Sequence, residues 1–425
     1  MDTNQLFSIG LGLEEPWRIG SSALDVNVIP HRLDLRIEAE RGALYPCPEC
    51  GKPCKAHDFT ERTWRHLNFF QHHCYVTAPV PRTDCPEHGI KTVTVPWARK
   101  GSAFTMFFEA MVMLLAREMP VAALARYAGE HDTRIWRIVK HYVSEAVSQM
   151  DLSRVKAVGL DETASKRGHN YVTVFIDMEK KHKPVLFVTP GKGKDTLTKF
   201  KQHLKKQGGK AAHVMEVVCD MSGAFIEATK EHFENAEVTV DWFHVTALVS
   251  KAMDKIRRAE GKRKELPKHL RYAILKNPDS RMTENQAEAL YELENSNLAT
   301  AEAYRCKESL AWVRQARTPQ GAAWRMTNFV GYWLHELKGA VFEPLRKALT
   351  TIVGHRSMIL RRWKSTYSNA RLEGMNGLFQ AARARARGYR NTETFMAMVY
   401  LIGAPLGKVL DQFTQQLAPT RPNST

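Results

Sequence analysis

Val155-Lys-Ala-Val-Gly-Leu-Asp161-Glu-Thr163 decides how this 425-residue chain is read. It is an apolar run that ends on a carboxylate. Val214-Met-Glu-Val-Val-Cys-Asp220-Met-Ser-Gly223 repeats the arrangement. An aspartate at the end of a buried strand is costly without a counter-ion. One explanation is that each strand presents its carboxylate to a metal ion. A third candidate lies in Ser368-Asn-Ala-Arg-Leu-Glu373-Gly-Met-Asn376. Between Arg356 and Arg390 there are nine Lys and Arg residues, and Glu373 is the only acid among them. It has two readings: a surface ion pair, which contributes little, or a metal ligand beside an arginine-lined phosphate path. Asp161 and Asp220 favour the second.

Outward from these stretches, Val155–Leu160, Tyr171–Asp177, Val185–Thr189, Val214–Cys219 and Val238–Trp242 read as strands, and Asp195–Lys206 and Gly223–Phe233 as helices. Three antiparallel strands followed by a helix and a parallel strand is the order of a ribonuclease H-like fold. There the ends of the first and fourth strands lie side by side, and a later helix brings the third carboxylate. After His244 the pattern is helical almost to the end, interrupted at Pro267, Pro278, Pro319 and Pro344. The predicted fold class is multidomain α+β: an N-terminal zinc ribbon and helix-turn-helix, then a ribonuclease H-like α/β core interrupted by an all-α insertion. The predicted boundaries are a weakly patterned lead-in over 1–40, the zinc ribbon over 41–100, and the helix-turn-helix over 101–150. The core follows over 151–244 and 351–410, with the insertion at 245–350 and a loose tail over 411–425.

Two knuckles mark the N-terminal half. Cys47-Pro-Glu-Cys50 is followed, after 34 intervening residues, by Cys85-Pro-Glu-His88. Four such donors suit one structural Zn²⁺ and leave no open position for catalysis. A redox CxxC opens a helix, and Pro53 argues against one here. Cys54, Cys74, His72 and His73 are competing donors without knuckle spacing. Next, Pro120–Gly129 reads as a short helix between a proline start and a glycine stop, and Asp132 or Thr133 caps a second helix over Arg134–Val143. Ile135, Val139 and Tyr142 share one face of it. Arg134, Arg137, Lys140 and His141 share the other. This is the helix-turn-helix pattern, whose second helix reads DNA. A plain helical hairpin with a solvated basic face has the same pattern.

Lys plus Arg total 62 against 45 Asp plus Glu, a net charge of +17, which points to a polyanion such as nucleic acid. Hydrophobic residues at 44% exclude wholesale disorder. Phe104–Ala116 and Phe395–Leu406 are the most apolar stretches, and both fall short of the roughly 20 residues a membrane span needs. Without a basic leader at the N-terminus, the expected location is the cytoplasm.

These stretches together resemble a DDE transposase of a bacterial insertion sequence, most similar to the ISL-three family. The match rests on Cys47-Pro-Glu-Cys50, Cys85-Pro-Glu-His88, Gly159-Leu-Asp161-Glu, Val218-Cys-Asp220-Met-Ser, Asp241-Trp-Phe-His244, Ser368–Asn376 and Arg383-Ala-Arg385-Ala-Arg387-Gly-Tyr-Arg390-Asn. It runs in order from about residue 40 to 405. The resemblance implies a catalytic triad of Asp161, Asp220 and Glu373 holding two Mg²⁺ or Mn²⁺ ions. Asp241, His244, Asn376 and Arg383 would support it. Arg134, Arg137, Lys140, Arg385, Arg387 and Arg390 would bind double-stranded transposon ends and target DNA, and pairing two ends implies at least a homodimer. Where such proteins usually carry Ile-Lys after the Asn, this chain has Phe379-Gln380, and Arg383 is the candidate replacement for the lysine. His88 stands where Cys is more usual.

Within 245–350, Trp312, Trp324, Trp333 and Tyr332 recur at spacings expected of a helical core. The rival to a transposase is a DNA-binding regulator with an inert catalytic domain. A nuclease without strand transfer would look the same in sequence.

Overall fold

The computed structural model describes residues 2–40, 42–166, 168, 170–276, 282–367 and 370–407. Pro278, Ser368, Asn369 and the tail over 411–425 lie outside them. Two compact units emerge, Met1–Ala146 with Leu406–Thr425, and Val147–Pro405.

The first unit opens with α1 (Thr3–Gly10), β1 (Trp17–Asp25), β2 (Arg32–Ala39), β3 (Leu44–Pro46), β4 (Pro53–Phe69), β5 (His72–Cys85) and β6 (Gly89–Thr92). The strands form one sheet in the order β1-β2-β5-β4-β3, with β6 on β5. The lead-in over 1–40 is therefore structured: β2 runs parallel to β5, Leu33 opposite Cys74 and Leu35 opposite Val76. The reason is a period-two pattern, with Leu33, Leu35 and Ile37 buried and the residues between them turned outward. These side chains pack with Trp17, Trp64 and Trp97, whose rings meet edge to face 5.0–5.6 Å apart. The long antiparallel β4–β5 hairpin forms the middle of this sheet.

Three helices follow: α2 (Met106–Glu118), α3 (Val121–Ala128) and α4 (Asp132–Ser148). Pro120 caps α3, and Gly129 ends it in the left-handed region (φ 67°), where a side chain is disfavoured. The second helix is longer than expected, and it buries Ile135, Ile138, Val139 and Tyr142. Glu109 is fully buried and held by Arg99 (2.9 Å), Ser102 (2.7 Å) and the Tyr142 hydroxyl (2.5 Å). A buried carboxylate needs such partners.

The second unit contains β7 (Ala157–Ala164), β8 (Tyr171–Asp177), β9 (Val185–Pro190), α5 (Lys194–Lys206), β10 (Glu216–Cys219), α6 (Gly223–His232) and β11 (Glu237–Val240). Its sheet has the order β11-β10-β7-β8-β9. The strands β7, β8 and β9 are antiparallel, whereas β10 is parallel to both β7 and β11. Each of the five strand readings falls on a strand, but Val155, Lys156, Val214 and Met215 precede β7 and β10, and Trp242 opens α7 instead of ending β11. The first strand does not stop at Asp161 but continues to Ala164, because Asp161 to Ala164 remain paired with β8.

Helices then follow: α7 (Trp242–Glu260), α8 (Leu270–Leu275), α9 (Glu284–Glu294), α10 (Ala299–Arg314), α11 (Pro319–Glu336), α12 (Glu343–Gly354), α13 (Arg356–Leu360), α14 (Ala370–Arg385) and α15 (Thr392–Gly403). Pro319 and Pro344 fall in the first turns of α11 and α12, where proline starts a helix. Leu270, Tyr304, Leu310, Met326, Phe329 and Leu349 build a helical core on α7. Trp333 belongs to it, at 6% exposure. The other three aromatics expected there do not: Trp312, Trp324 and Tyr332 are 38%, 63% and 59% exposed. Helical spacing sets which residues share a stripe, but neighbouring helices decide which stripe is covered.

Candidate metal centres and DNA-processing site

The two knuckles come together as a single cluster. Cys47, Cys50, Cys85 and His88 have their donor atoms within 4.8 Å of one another. The Cys50 and Cys85 sulfurs are 3.8 Å apart, and His88 Nδ1 lies 3.6 Å from Cys85 and 3.9 Å from Cys47. A tetrahedral Zn²⁺ with bonds near 2.3 Å requires edges of about 3.8 Å between sulfurs, so the donor set fits the metal. Each knuckle turns on a glycine in the left-handed region, Gly51 (φ 74°) and Gly89 (φ 65°). The His88 ring and nearby backbone N–H groups draw the Cys85 thiol down to about 6, toward the thiolate a metal binds. Cys54 is buried against Cys47 and Cys85, but its thiol faces the Lys52 carbonyl. Cys74 belongs to the apolar sheet core.

The carboxylate cluster is assembled differently. In the β7–β10 register Val218 pairs with Gly159. Two residues further, Asp220 falls level with Asp161. Between β10 and β11, Cys219 pairs with Val240, so Asp241 falls level with Asp220. Three aspartates thus line up across three neighbouring strands, which run about 4.8 Å apart. Asp241 also caps α7, accepting from the Phe243 N–H at 3.0 Å. Asp220 accepts from the Ser222 N–H at 2.9 Å.

Glu373 arrives on α14, which docks against the end of β7 through one face. Asn376 Nδ2 donates to Asp161 Oδ2 (2.8 Å), Gln380 Nε2 to Thr163 Oγ1 (2.6 Å), and Arg383 Nη1 to the Ala164 carbonyl (2.6 Å). Residues 373, 376, 380 and 383 follow the three-to-four-residue repeat of one helix face. Leu372 and Phe379 are fully buried beneath it. Gln380 and Arg383 are therefore both engaged in holding the helix to the strand.

Electrostatics set this cluster apart. Burial raises the Asp161 carboxyl above its usual range, and the charges of Asp220 and Asp241 add to this, against the Glu162 N–H and His244. Burial likewise raises Glu373, with Asp241 and Asp161 adding and His244 opposing. Three buried atoms here lack a hydrogen-bond partner among the described residues: Glu373 Oε1, Asn376 Oδ1 and His244 Nε2. Carboxylates that repel one another, with an unpaired buried oxygen, form a hard-oxygen donor set that fits a divalent cation. They stand more openly than the zinc donors, which are, among the described residues, the one group of three or more within 4.8 Å. Sequence reasoning missed Glu162. Burial and the Asp220 charge push it up to about 7, against the pull of Lys192. Its only signal was its place directly after Asp161.

A family model described as "Transposase" matches residues 158–399, more than half of the chain. The chain belongs to the ISL3 family of transposases. A second model, "Helix-turn-helix domain of transposase family ISL3", matches residues 93–143. A third, "zinc-finger of transposase IS204/IS1001/IS1096/IS1165", matches 44–88. The chain is 26% identical over 367 residues to the transposase for insertion sequence element IS1001 of Bordetella parapertussis, covering 83% of this chain and 87% of that protein. It is 26% identical over 401 residues to the transposase for IS1557 of Mycobacterium tuberculosis (strain CDC 1551 / Oshkosh), covering 87% and 88%. This protein is thus a DDE transposase, a DNA-processing enzyme with a zinc ribbon, a DNA-binding helix-turn-helix and a mixed α/β core. No helix of the described residues is long and apolar enough to cross a membrane.

The basic residues of this transposase differ in their engagement. Arg134 pairs with Glu130 and lies 4.5 Å over the Phe104 ring. Arg137 is exposed, and Lys140 is half-buried. Arg385 is exposed at the end of α14 and Arg387 and Arg390 are exposed beyond it, and the Arg390 carbonyl accepts from Lys166 Nζ at 2.6 Å.

Proposed function

We propose that Asp161, Asp220 and Glu373 hold two Mg²⁺ or Mn²⁺ ions, and that the transposase cuts element ends and joins them to target DNA at this one site. The observation that carries the reading is the level row of Asp161, Asp220 and Asp241, faced by the unpartnered Glu373 oxygen. Divalent ions bound there would activate the attacking oxygen and stabilise the leaving one in an in-line displacement, with no covalent enzyme intermediate. The chain's own residues prepare the site. Asn376 orients Asp161 by donating to Oδ2, leaving the other carboxylate oxygen to the Glu162 N–H. His244 sets its charge against both Asp161 and Glu373. Gln380 and Arg383 anchor α14, so the departure from Lys at position 380 replaces a cation with a docking amide. Arg385, Arg387 and Arg390 continue as a basic track for the phosphate backbone.

The strand order supports a ribonuclease H-like core over 151–244 and 351–410, with 245–350 as its all-α insertion. A zinc ribbon over 41–100, with one structural Zn²⁺, and a helix-turn-helix over 101–150 would bind the terminal sequence. Arg137 is the best-exposed candidate contact on the second helix, with Arg134 and Lys140 beside it. End pairing calls for at least a homodimer, and such an enzyme works in the bacterial cytoplasm at the nucleoid.

The test is Mg²⁺-dependent nicking and joining of labelled element-end DNA by the wild type and by Asp161→Ala. Cleavage should fall at least ~10³-fold in the variant, with end binding unchanged. Undiminished cleavage by Asp161→Ala would overturn the metal-site reading. Binding without cleavage by the wild type, in Mg²⁺ or Mn²⁺, would favour the silent regulator.

A further inference from the structure

A cleft of about 640 Å³ opens at the Asp241 end of the aspartate row, with Asp241 and Glu373 in its lining. Its walls come from the first turns of α7, from α10, and from the turn that precedes α14. Trp242, Phe243 and Trp363 contribute rings, and Arg314 and Arg362 contribute cations. The rings are not equivalent. Trp242 is 7% exposed and meets Trp363 edge to face at 5.5 Å. Trp363 is further fixed by donating Nε1–H to the Ala316 carbonyl at 2.8 Å. Phe243 stands 53% exposed at the cleft, on the helix that Asp241 caps. Neither Arg314 nor Arg362 has an ion-pair or hydrogen-bond partner among the described residues.

A concave site with aromatic faces and unpaired guanidinium groups matches a ligand that is itself a flat ring joined to a phosphate. The volume falls within the 300–1,000 Å³ range of ligand sites. Base pairs in a duplex keep their faces in the stack, so only an unpaired base can offer one to Phe243 and Trp363. We infer that this cleft captures an unpaired nucleotide of the DNA strand adjoining the cleaved phosphate, its base against Phe243 and Trp363 and its backbone on Arg314 and Arg362. The inference rests on the reading that the neighbouring carboxylates act on DNA. It adds that the element end is locally opened when bound.

The test is fluorescence-polarisation binding of the full-length protein to labelled dT12 and to a 12-base-pair duplex, without divalent ions. Phe243→Ala should weaken dT12 binding about tenfold, within the range of one lost base–aromatic stack, and change duplex binding less than twofold. Phe243→Trp should restore it. Arg314→Gln should weaken dT12 binding and make its salt dependence shallower by about one charge. With 2-aminopurine next to the cleavage point of the element end, fluorescence should rise on binding to the wild type and not to Phe243→Ala. Equal losses on duplex and single strand, or no loss with either variant, would overturn the inference. So would competition by micromolar thymidine monophosphate, which would make the cleft a site for free nucleotides. The binding arms do not use Asp161, so a failure of the metal-site reading in the Asp161→Ala cleavage assay is distinguishable from a failure here.

Discussion

The zinc quartet and the carboxylate row are both metal-donor sets, but the fold treats them in opposite ways. The quartet is made of two local turns with the same Cys-Pro-Glu start and the same glycine finish. Its donors already stand at tetrahedral spacing, and one thiol is drawn toward its thiolate. The carboxylates come from three strands and a helix far along the chain. Burial and the neighbouring aspartates raise Asp161 and Glu373 above the usual carboxylate range, and one Glu373 oxygen has no partner among the described residues. A structural site is closed and settled by its own turns, whereas a site for chemistry holds charge in tension until its ions and substrate arrive.

That contrast can be broken most severely at the zinc. Chelation, or Cys85→Ser, should unfold the strands around the knuckles and abolish end binding, because a structural zinc supplies on the order of 10 kcal/mol of folding free energy. Hydrogen exchange read peptide by peptide should show the loss in 42–92 and leave β7–β11 protected. Unchanged protection around Cys47 and Cys85 would make the quartet dispensable.

The second difference is in pH. The His66 ring is buried beside Arg65, which lowers its value from 6.5 to about 4. Between those values the unfolded chain holds the extra proton, so stability is lost as pH falls through the window, by up to about 3 kcal/mol. Glu162, raised from 4.5 to about 7, has the opposite sign. There the folded chain holds the extra proton, so stability is gained as pH falls from 7. Asp161 and Glu373 act in the same direction as Glu162. Exchange protection should therefore fall around β4 and α2, and rise around β7, between pH 7 and pH 5. Parallel trends would contradict the assigned burial. His66→Phe should flatten the first trend alone.

The smallest effect concerns the tension itself. Asp161→Asn removes a charge that its surroundings disfavour. The metal-free variant should be more stable by roughly 0.5–2 kcal/mol, a gain of a few degrees in Tm, although it cannot cleave. Ten-millimolar Mg²⁺ should raise the wild-type Tm and leave that of the variant nearly unchanged. A less stable variant would mean that Asp161 is at ease in its place.

Much of this was legible in the chain. The two knuckles, the proline-to-glycine helix with its basic successor, and the apolar strands running to Asp161 and Asp220 all carry local signals. Each depends on turn chemistry or residue period. The lead-in was legible only through the weak alternation of Leu33, Leu35 and Ile37, because its partner β5 lies some forty residues away. Glu162 gave no signal beyond adjacency, since its environment is made by Asp220 and Lys192. Trp324 and Tyr332 were assigned to a core because spacing cannot tell which helix face a neighbour will cover.

The sequence by itself determined the donors: which cysteines and histidine make the quartet, and which carboxylates end apolar strands. Turn geometry and the cost of burying charge act over a few residues and are written there. Tertiary structure alone decided that Asp161, Asp220 and Asp241 stand in one row, that α14 docks through Asn376, Gln380 and Arg383, and that a cleft opens beside Glu373. Strand register and helix docking are set by contacts between residues distant in the chain, and no local pattern encodes them.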